Sequence, residues 1–293
     1  MRKWFIFSDC HGFYKELMVA LGRKGFDISN PEHCIIFCGD ALDRGKEPTE
    51  VYRFLRSIPK DRRVLVRGNH EALMRDLLER KYPYDNDISN GTLDTLYAMA
   101  GLVSKSEVDH RYYKEVEEAM AGGGPEAWAN VRIKYHNIRS GIYGGIAREF
   151  IDWVHSDEWV NYHETGNHVF VHSFIPVHQD YATDKWGFTY PVGDPSPRED
   201  WREANDVEWE SAMWGNPWQK AKLGLNATGK TIVCGHWHTS DFYNNLSTNR
   251  LKELKSIEDN PIFRSKRYRI IGLDACTALS KRVNVLTLME DEL

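Results

Sequence analysis

Residues 4–12 of the chain read WFIFSDCHG, a short apolar run that ends abruptly in polar side chains. Two later segments repeat this arrangement: residues 34–45 read CIIFCGDALDRG, and residues 64–71 read VLVRGNHE. Each apolar run predicts a buried strand, because a few consecutive apolar residues bounded by turn residues suit a strand that is covered on both faces. Side chains with nitrogen and oxygen donors therefore follow directly after three predicted strands.

The segments between these strands predict helices. In the first segment, Leu17, Ala20 and Leu21 share one helical face. Strand, helix and strand again favour parallel pairing in an α/β sheet. Ligands of open α/β sheets bind beyond the carboxyl ends of the strands, which is where the three polar clusters lie.

The rest of the chain divides into three parts. Residues 85–165 predict a mostly helical insertion, and residues 178–225 predict a long loop rich in tryptophan, proline, aspartate and glycine. Strands return later, and we predict them at Val169–Val171, Thr231–Cys234, Tyr268–Leu273 and Val283–Leu288. We therefore expect a single domain over residues 1–293, without internal repeats.

Composition excludes several classes of protein. The 293 residues include 38 basic and 43 acidic side chains, and the net charge of -5 disfavours a nucleic-acid partner held by bulk electrostatics. No apolar run approaches the roughly 18 residues of a membrane span, and the N-terminal run is too short for a signal peptide. The five cysteines are odd in number and scattered, so we expect buried thiols in a reduced, cytoplasmic protein.

Seven candidate metal ligands follow the apolar runs. They are Asp9, His11, Asp40, Asn69, His172, His236 and His238. Carboxylate, amide and imidazole ligands in this mixture suit manganese, iron or zinc better than calcium or magnesium. Each cluster alone has an ordinary structural interpretation, such as a helix cap at Asn69 or a strand-end histidine at His172. Their joint occurrence at strand ends predicts two divalent metal ions that share a carboxylate.

The motifs resemble the signature blocks of the calcineurin-like metallophosphoesterases. The resemblance lies in residues 8–12, 39–45, 67–71 and 235–238, which read SDCHG, GDALDRG, RGNHE and GHWH. The Asp-Arg-Gly and Asn-His-Glu forms are similar to the branch that holds the serine/threonine phosphoprotein phosphatases and the symmetrical diadenosine tetraphosphate hydrolases. This implies an α/β fold, a four-layer αββα sandwich of two mixed sheets with a helical insertion.

The resemblance also implies the roles of the site residues. Asp40 would bridge two ions, most simply manganese, with iron or zinc as alternatives. The first ion would also bind Asp9, His11 and His238, and the second would bind Asn69, His172 and His236. His70 would be the general acid, oriented by Asp43. The phosphoryl oxygens would contact Arg44 and the amide of Asn69.

The implied activity is hydrolysis of phosphomonoesters by direct attack of a hydroxide that bridges the metals. The substrate would be a phosphorylated protein, nucleotide or small phosphoester, and a serine/threonine protein phosphatase is the leading hypothesis. The closest alternative is a symmetrical dinucleoside polyphosphate hydrolase. Two further alternatives are less favoured. The acidic net charge disfavours a metal-dependent nuclease, and the complete set of candidate metal ligands disfavours a metal-free scaffold.

Several residues fall outside the resemblance or depart from it. Phe174 lies two positions after His172. The phosphatases carry small residues directly after the corresponding histidine, so we expect Phe174 to narrow the substrate pocket. A second arginine that clamps phosphate has no motif, and the candidates are Arg139, Arg148 and Arg202. Asp274 is either a turn residue or a support of the site. The tryptophans either stack on a substrate ring or hold their own loop together, and we favour the second interpretation.

Overall fold

The computed structural model describes residues 1–81, 83–101, 114–119, 121–122, 124–185, 187, 189–247 and 260–293. In this part of the chain, two five-stranded sheets lie face to face, and helices cover the outer face of each sheet. The architecture is the predicted α/β type, a four-layer αββα sandwich.

The strands are short and lie along most of the chain. They are β1 Lys3–Phe7, β2 His33–Phe37, β3 Arg63–Val66, β4 Trp159–Val160, β5 Tyr162–Glu164, β6 His168–Val171, β7 His178–Thr183, β8 Thr189–Ser196, β9 Thr231–Cys234, β10 Phe263–Ser265, β11 Ile270–Gly272 and β12 Leu286–Met289. The first sheet has the order β12-β1-β2-β3-β4, and the second has the order β10-β11-β9-β6-β5.

Both sheets are mixed, as predicted. In the first sheet β1, β2 and β3 pair in parallel, and β12 joins β1 in the antiparallel sense. In the second sheet β9 is parallel to both β6 and β11, while β5 and β10 are antiparallel edges. The carboxyl ends of the parallel strands therefore point to a common edge of each sheet.

Strand β1 shows why the apolar runs are continuous. Phe5 and Phe7 pack beneath the helices, whereas Trp4 and Ile6 pack between the two sheets. Because successive side chains of a strand point to opposite faces, a strand in an inner layer must be apolar at every position.

The helices have the following bounds: α1 Tyr14–Arg23, α2 Pro48–Ser57, α3 Asn69–Arg80, α4 Asp85–Ser89, α5 Thr92–Met99, α6 Gly124–Gly145, α7 Arg148–Val154, α8 Asp206–Met213, α9 Pro217–Lys222, α10 Thr239–Leu246 and α11 Thr277–Ser280. Helices α1 to α3, α5 and α7 contribute to the core of the first sheet, and α8 to α10 contribute to that of the second.

The described residues of the predicted insertion are mostly helical, as expected. Leu96 of α5 and Trp153 of α7 belong to the same core cluster as Phe37 of β2. The strands β4, Trp159–Val160, and β5, Tyr162–Glu164, lie at the end of this segment, and the prediction of a mostly helical segment did not identify them. Strand β4 pairs with β3 over only two residues, a length that gives no hydrophobic period in the sequence.

The tryptophan-rich segment is not a loop, so this prediction is wrong. Most of its described residues lie in the hairpin β7–β8 and the helices α8 and α9. Trp201 and Trp209 are buried beside Tyr162 of β5, whose ring stacks on Trp209 at 5.3 Å. These aromatic side chains hold their own layer together, in agreement with the favoured interpretation, whereas Trp214 is 42% exposed. Trp186 lies outside the described residues.

The cysteines are buried and unpaired, as predicted. They are Cys10, Cys34, Cys38, Cys234 and Cys276. In the described part of the chain, no helix combines the length and the apolar character that spanning a bilayer requires.

Candidate metal centre

The polar clusters meet at one edge of the sandwich because they follow the carboxyl ends of β1, β2, β3, β6 and β9. Backbone hydrogen bonds tie the clusters together: Asp9 donates to Gly39, and Gly235 donates to His172. The backbone N–H of His236 donates to Asp9 Oδ2 at 3.0 Å, which joins the second sheet to the first. The candidate site thus lies where the two sheets meet.

Backbone strain is concentrated at this edge. Five non-glycine residues of the site have positive φ: Asp9 at 50°, His11 at 46°, Asp40 at 66°, Arg44 at 73° and His236 at 66°. Such conformations are uncommon for residues with a Cβ atom and cluster at functional sites, where the surrounding structure must hold them in place.

Two glycines make room for the carboxylates. A Cβ atom at Gly235 would lie 2.0 Å from Asp9 Oδ2, and one at Gly68 would lie 2.3 Å from Asp40 Oδ1. The glycines that precede His236 and Asn69 in the motifs are therefore required by the close approach of two candidate ligands.

Glu71 has a larger structural role than its position suggests. Its carboxylate caps α3 by accepting from Gly68 at 2.8 Å, which the sequence allows for a first-turn acid. It also accepts from the backbone N–H groups of Asp40 at 2.9 Å and Ala41 at 2.8 Å. Glu71 thus fixes the loops after β2 and β3 against each other, a contact between loops that no motif spacing could reveal.

Around His172, four candidate metal-ligating atoms lie close together. Its Nδ1 lies 2.8 Å from the carbonyl oxygen of Cys38, which assigns the proton to Nδ1 and leaves Nε2 with a lone pair. That Nε2 lies 2.8 Å from Asn69 Oδ1, 3.2 Å from His236 Nδ1 and 3.4 Å from Asp40 Oδ1. Imidazole, amide and carboxylate atoms thus lie close enough together to share one divalent cation, for which they are suitable ligand types.

A second group of candidate metal-ligating atoms lies on the other side of Asp40. His11 Nε2 is 3.9 Å from Asp9 Oδ1 and 3.7 Å from Asp40 Oδ2. His70 Nε2 is also 3.7 Å from Asp40 Oδ2. Asp40 therefore faces both groups, one oxygen toward His172 and the other toward His11, as expected of a bridging carboxylate.

His238 is set apart from these compact groups. Its side chain is 31% exposed, and Nε2 lies 4.0 Å from Asp274 Oδ2. Asp274 is buried, accepts from the backbone of Cys276 at 2.7 Å and faces Asp9 electrostatically. Asp274 is therefore both a turn residue and a neighbour of two predicted ligands, so the two interpretations of the sequence do not exclude each other.

The electrostatics fit a site for cations. Burial raises the pKa of Asp9 well above its ordinary value, and the carboxylates of Asp274 and Asp40 add to this effect. Burial also works to raise the pKa of Asp40, but the surrounding histidines outweigh it and hold this pKa below its ordinary value. Burial lowers the pKa of His236 to about 3, which leaves the imidazole neutral and able to bind a metal. Crowded acids beside neutral imidazoles match the donors of a centre for two divalent ions.

A buried acid pair lies next to this centre. His70 Nδ1 is 2.7 Å from Asp43 Oδ2. Burial works to lower the pKa of His70, but Asp40 and Asp43 outweigh it, so the pKa lies above its ordinary value. The guanidinium of Arg44 lies 3.1 Å from His70 Nε2 and 3.3 Å from His11 Nε2. The candidate proton donor His70 and the candidate phosphate-binding guanidinium of Arg44 therefore lie next to each other.

Two of the three candidates for a second arginine, Arg148 and Arg202, form ion pairs away from the cluster. Arg148 pairs with Asp152 at 2.8 Å, and Arg202 pairs with Glu164 at 2.6 Å. The side chain of Arg139 lies outside the described residues. No described contact supports the prediction that Arg148 or Arg202 clamps a phosphate.

Phe174 packs into the core of the second sheet at 1% exposure, so the expectation that it narrows the pocket is wrong. Ser173 donates to the carbonyl of Gly215, and this turns the chain away from the site after His172. The Nζ atom of Lys220 lies 5.8 Å from the centre of the Phe174 ring, with no acidic partner among the described residues. Lys220 also lines a groove of about 970 Å³ between the β7–β8 hairpin and helices α8 and α9, a feature that the sequence analysis did not identify.

The chain is similar to several known proteins. The family model of the calcineurin-like phosphoesterases matches residues 3–240. A protein of Encephalitozoon cuniculi named as a probable serine/threonine-protein phosphatase is 36% identical over 92 residues, which are 28% of this chain and 19% of that protein. An asymmetrical bis(5'-nucleosyl)-tetraphosphatase of Bacillus velezensis is 35% identical over 206 residues, which are 66% of this chain and 76% of that protein. The solved structure of a cold-active protein tyrosine phosphatase covers 99% of this chain and 76% of its own, at a TM-score of 0.48 and 14% identity.

Proposed function

The chain belongs to the calcineurin-like phosphoesterase family, and from that premise we propose that it hydrolyses phosphomonoesters with two divalent metal ions and a histidine acid. The observation that carries the proposal is the position of Asp40. Its carboxylate faces His172 on one side and His11 on the other, and His70 lies next to it. The proposed metal ligands and the proposed proton donor thus lie next to one another, which supports the proposal.

The residues that would hold the ions are the seven predicted from the sequence. One ion would be held by Asp9, His11 and His238 and the other by Asn69, His172 and His236, with Asp40 common to both. A pair of divalent ions neutralises charge on a phosphoryl group and activates water. We propose manganese, because imidazole, amide and carboxylate donors suit it, with iron or zinc as alternatives.

Arg44 would bind and orient the phosphoryl group. A guanidinium presents two parallel N–H donors to two phosphoryl oxygens, and this fixes the group in angle as well as in position. This role is supported by the distances from the Arg44 guanidinium to His11 Nε2, 3.3 Å, and to His70 Nε2, 3.1 Å. The amide of Asn69 would contact a phosphoryl oxygen from the side of His172.

His70 would protonate the leaving oxygen. An alkoxide is a poor leaving group, and a histidine with a raised pKa supplies a proton near neutral pH. Asp43 would hold the ring through Nδ1, so that Nε2 faces the substrate. The cysteines offer no competing nucleophile, because all five are buried and burial raises the pKa of Cys10 well above its ordinary value.

The leading substrate is a phosphoserine or phosphothreonine side chain. The name of the Bacillus velezensis relative favours a second candidate, a dinucleoside polyphosphate, because the similarity covers most of that relative. The same site would serve both substrates with different leaving groups. The buried, unpaired thiols favour a reducing compartment, and we propose the cytoplasm.

One experiment tests the proposal and separates the substrates. The protein loaded with Mn²⁺ is incubated with a phosphoserine peptide, diadenosine tetraphosphate and p-nitrophenyl phosphate. Phosphate released from the peptide supports a protein phosphatase, whereas cleavage of the dinucleotide supports the second candidate, and the nucleotides formed tell symmetrical from asymmetrical cleavage. If no substrate is cleaved with manganese, iron or zinc, the proposal is refuted and the metal-free scaffold becomes the better account.

A further inference from the structure

Helix α5 of the insertion reaches into the acid pair. Thr92 Oγ1 donates to Asp43 Oδ2 at 2.6 Å, and Thr95 Oγ1 donates to Asp43 Oδ1 at 2.7 Å. The two threonines are 0% and 2% exposed, and Asp43 is 1% exposed. Both oxygens of this buried carboxylate are therefore bound by hydroxyl groups from one helix.

These hydroxyls complete the environment of Asp43. Oδ2 also faces His70 Nδ1 at 2.7 Å, so three donors surround two oxygens. Among the described residues, Asp43 forms no ion pair with lysine or arginine. Neutral donors on both oxygens fix the plane of the carboxylate and leave its charge available to His70.

The segment formed by α5 and the two residues before it, Asn90 and Gly91, also contacts Arg44. Asn90 Oδ1 accepts from Arg44 Nη2 at 3.3 Å. Gly91 has a φ of 84°, and a Cβ atom there would lie 2.9 Å from the backbone nitrogen of Arg44. The loop that enters α5 is thus packed against the backbone of Arg44, while the helix binds its neighbour Asp43.

The segment is anchored firmly enough to act as a support. Leu93 and Leu96 are buried in the core of the first sheet. Positions 92 and 95 lie one helical turn apart and face the same side, whereas 93 and 96 face the core. One face of α5 is therefore fixed by packing, and the adjacent face presents two hydroxyls to the site.

We infer that Thr92 and Thr95 are positioning residues of the reaction, which hold the Asp43 carboxylate so that His70 keeps its ring orientation during proton transfer. This inference rests on the proposed roles of His70 and Asp43. It assigns a function to α5 of the helical insertion. This helix would support the pair of His70 and Asp43, two residues that follow β3 and β2, respectively.

The test compares leaving groups, because a merely structural defect would affect all substrates alike. In Thr92→Val and Thr95→Val, we expect turnover of an alkyl phosphate to fall by about 10- to 100-fold, the scale for loss of a partner that orients a functional group. Turnover of p-nitrophenyl phosphate should change by less than about threefold, since its leaving group needs no proton. The serine variants at both positions keep the hydroxyl and should restore alkyl turnover.

Thr49→Val is the matched control, because Thr49 lies in α2 and contacts Met99 of α5 without touching the site. His70→Asn in the same assay shows how loss of the proposed acid affects turnover of the alkyl phosphate relative to the aryl phosphate. If His70→Asn loses more turnover on the alkyl phosphate and the valine variants do not, the inference is wrong while the proposed function stands. If His70→Asn shows no dependence on the leaving group, the proposed function itself fails. If a valine variant does not fold, Thr92→Ala, which adds no methyl group, takes its place. Equal losses of turnover on the alkyl and the aryl phosphate would overturn the inference.

Discussion

The Nδ1 atom of His70 lies 2.7 Å from Oδ2 of Asp43, and both side chains are almost completely buried. Asp40 approaches the opposite edge of the same ring, with Oδ2 3.7 Å from Nε2. The two carboxylates explain why the pKa of His70 lies above its ordinary value although the ring is desolvated. A histidine held in this way can carry a proton near neutral pH, where the uncatalysed hydrolysis of phosphoesters is slow.

Replacing His70 with asparagine should slow hydrolysis while leaving the metals in place. General acid catalysis contributes about 10²–10⁴-fold, so turnover of an alkyl phosphate should fall by that factor. The loss should be smaller for an aryl phosphate, which departs without protonation. Steady-state kinetics on both substrates, together with metal analysis, checks this prediction. An equal loss on both would show that His70 is not the acid.

Replacing Asp40 with alanine should remove metal and activity together, because its carboxylate faces both groups of donors. Metal analysis by mass spectrometry and the p-nitrophenyl phosphate assay measure the two losses. Asp61→Ala is the control, since Asp61 is exposed and, among the described residues, forms an ion pair with Arg2 alone. An Asp40→Ala protein that keeps both its metal content and its activity would contradict the dimetal assignment.

Replacing Arg44 with lysine keeps a positive charge but removes the planar fork. We expect weaker binding of phosphate, seen as a KM raised by about tenfold, because a bidentate contact becomes a single one. Circular dichroism establishes that the fold is retained. Unchanged KM and kcat would remove Arg44 from the binding site.

Lys220 gives a prediction about stability and pH. Burial lowers the pKa of this lysine to about 8 from 10.5, so its charged form opposes folding. The unfolded state binds the proton more tightly, and the free energy of unfolding should therefore rise as the pH increases from about 8 to 10.5. Lys220→Met should remove this dependence and stabilise the protein at pH 7 by on the order of 2 kcal/mol, a value reduced for partial exposure.

Denaturant unfolding of the wild type and Lys220→Met between pH 7 and 10.5 measures this effect. Lys222→Met serves as the control, because Lys222 is on the same helix and exposed. The advantage of Lys220→Met should shrink with rising pH. A difference that stays constant over this range would contradict the assigned desolvation of Lys220.

The first sheet and the centre of the site could be predicted because their signals are local. The apolar runs at β1, β2 and β3 are buried in the sandwich, apart from the partly buried Val64, and the polar side chains that follow them lie at one edge. Alternating burial on two faces requires such runs, and parallel pairing then brings their ends together.

The outer parts could not be predicted, since their signals are weak or nonlocal. Strand β8 contains Pro191, Gly193 and Pro195, residues that favour turns and are tolerated at an edge. Trp209 lies in α8, where aromatic residues are poor indicators of helix. The contacts of Thr92 and Thr95 with Asp43 span about fifty positions and belong to no motif, so only the folded chain brings them together.

The central claim is that this edge of the sandwich binds two divalent ions that are required for hydrolysis. The most direct test removes metal with a chelator, restores Mn²⁺ stepwise, and follows bound metal and p-nitrophenyl phosphate hydrolysis on the same samples. The proposed site predicts about two ions per chain at saturation and activity that rises with occupancy from a background near zero. Full activity in the metal-free protein, or saturation without stoichiometric binding, would contradict it.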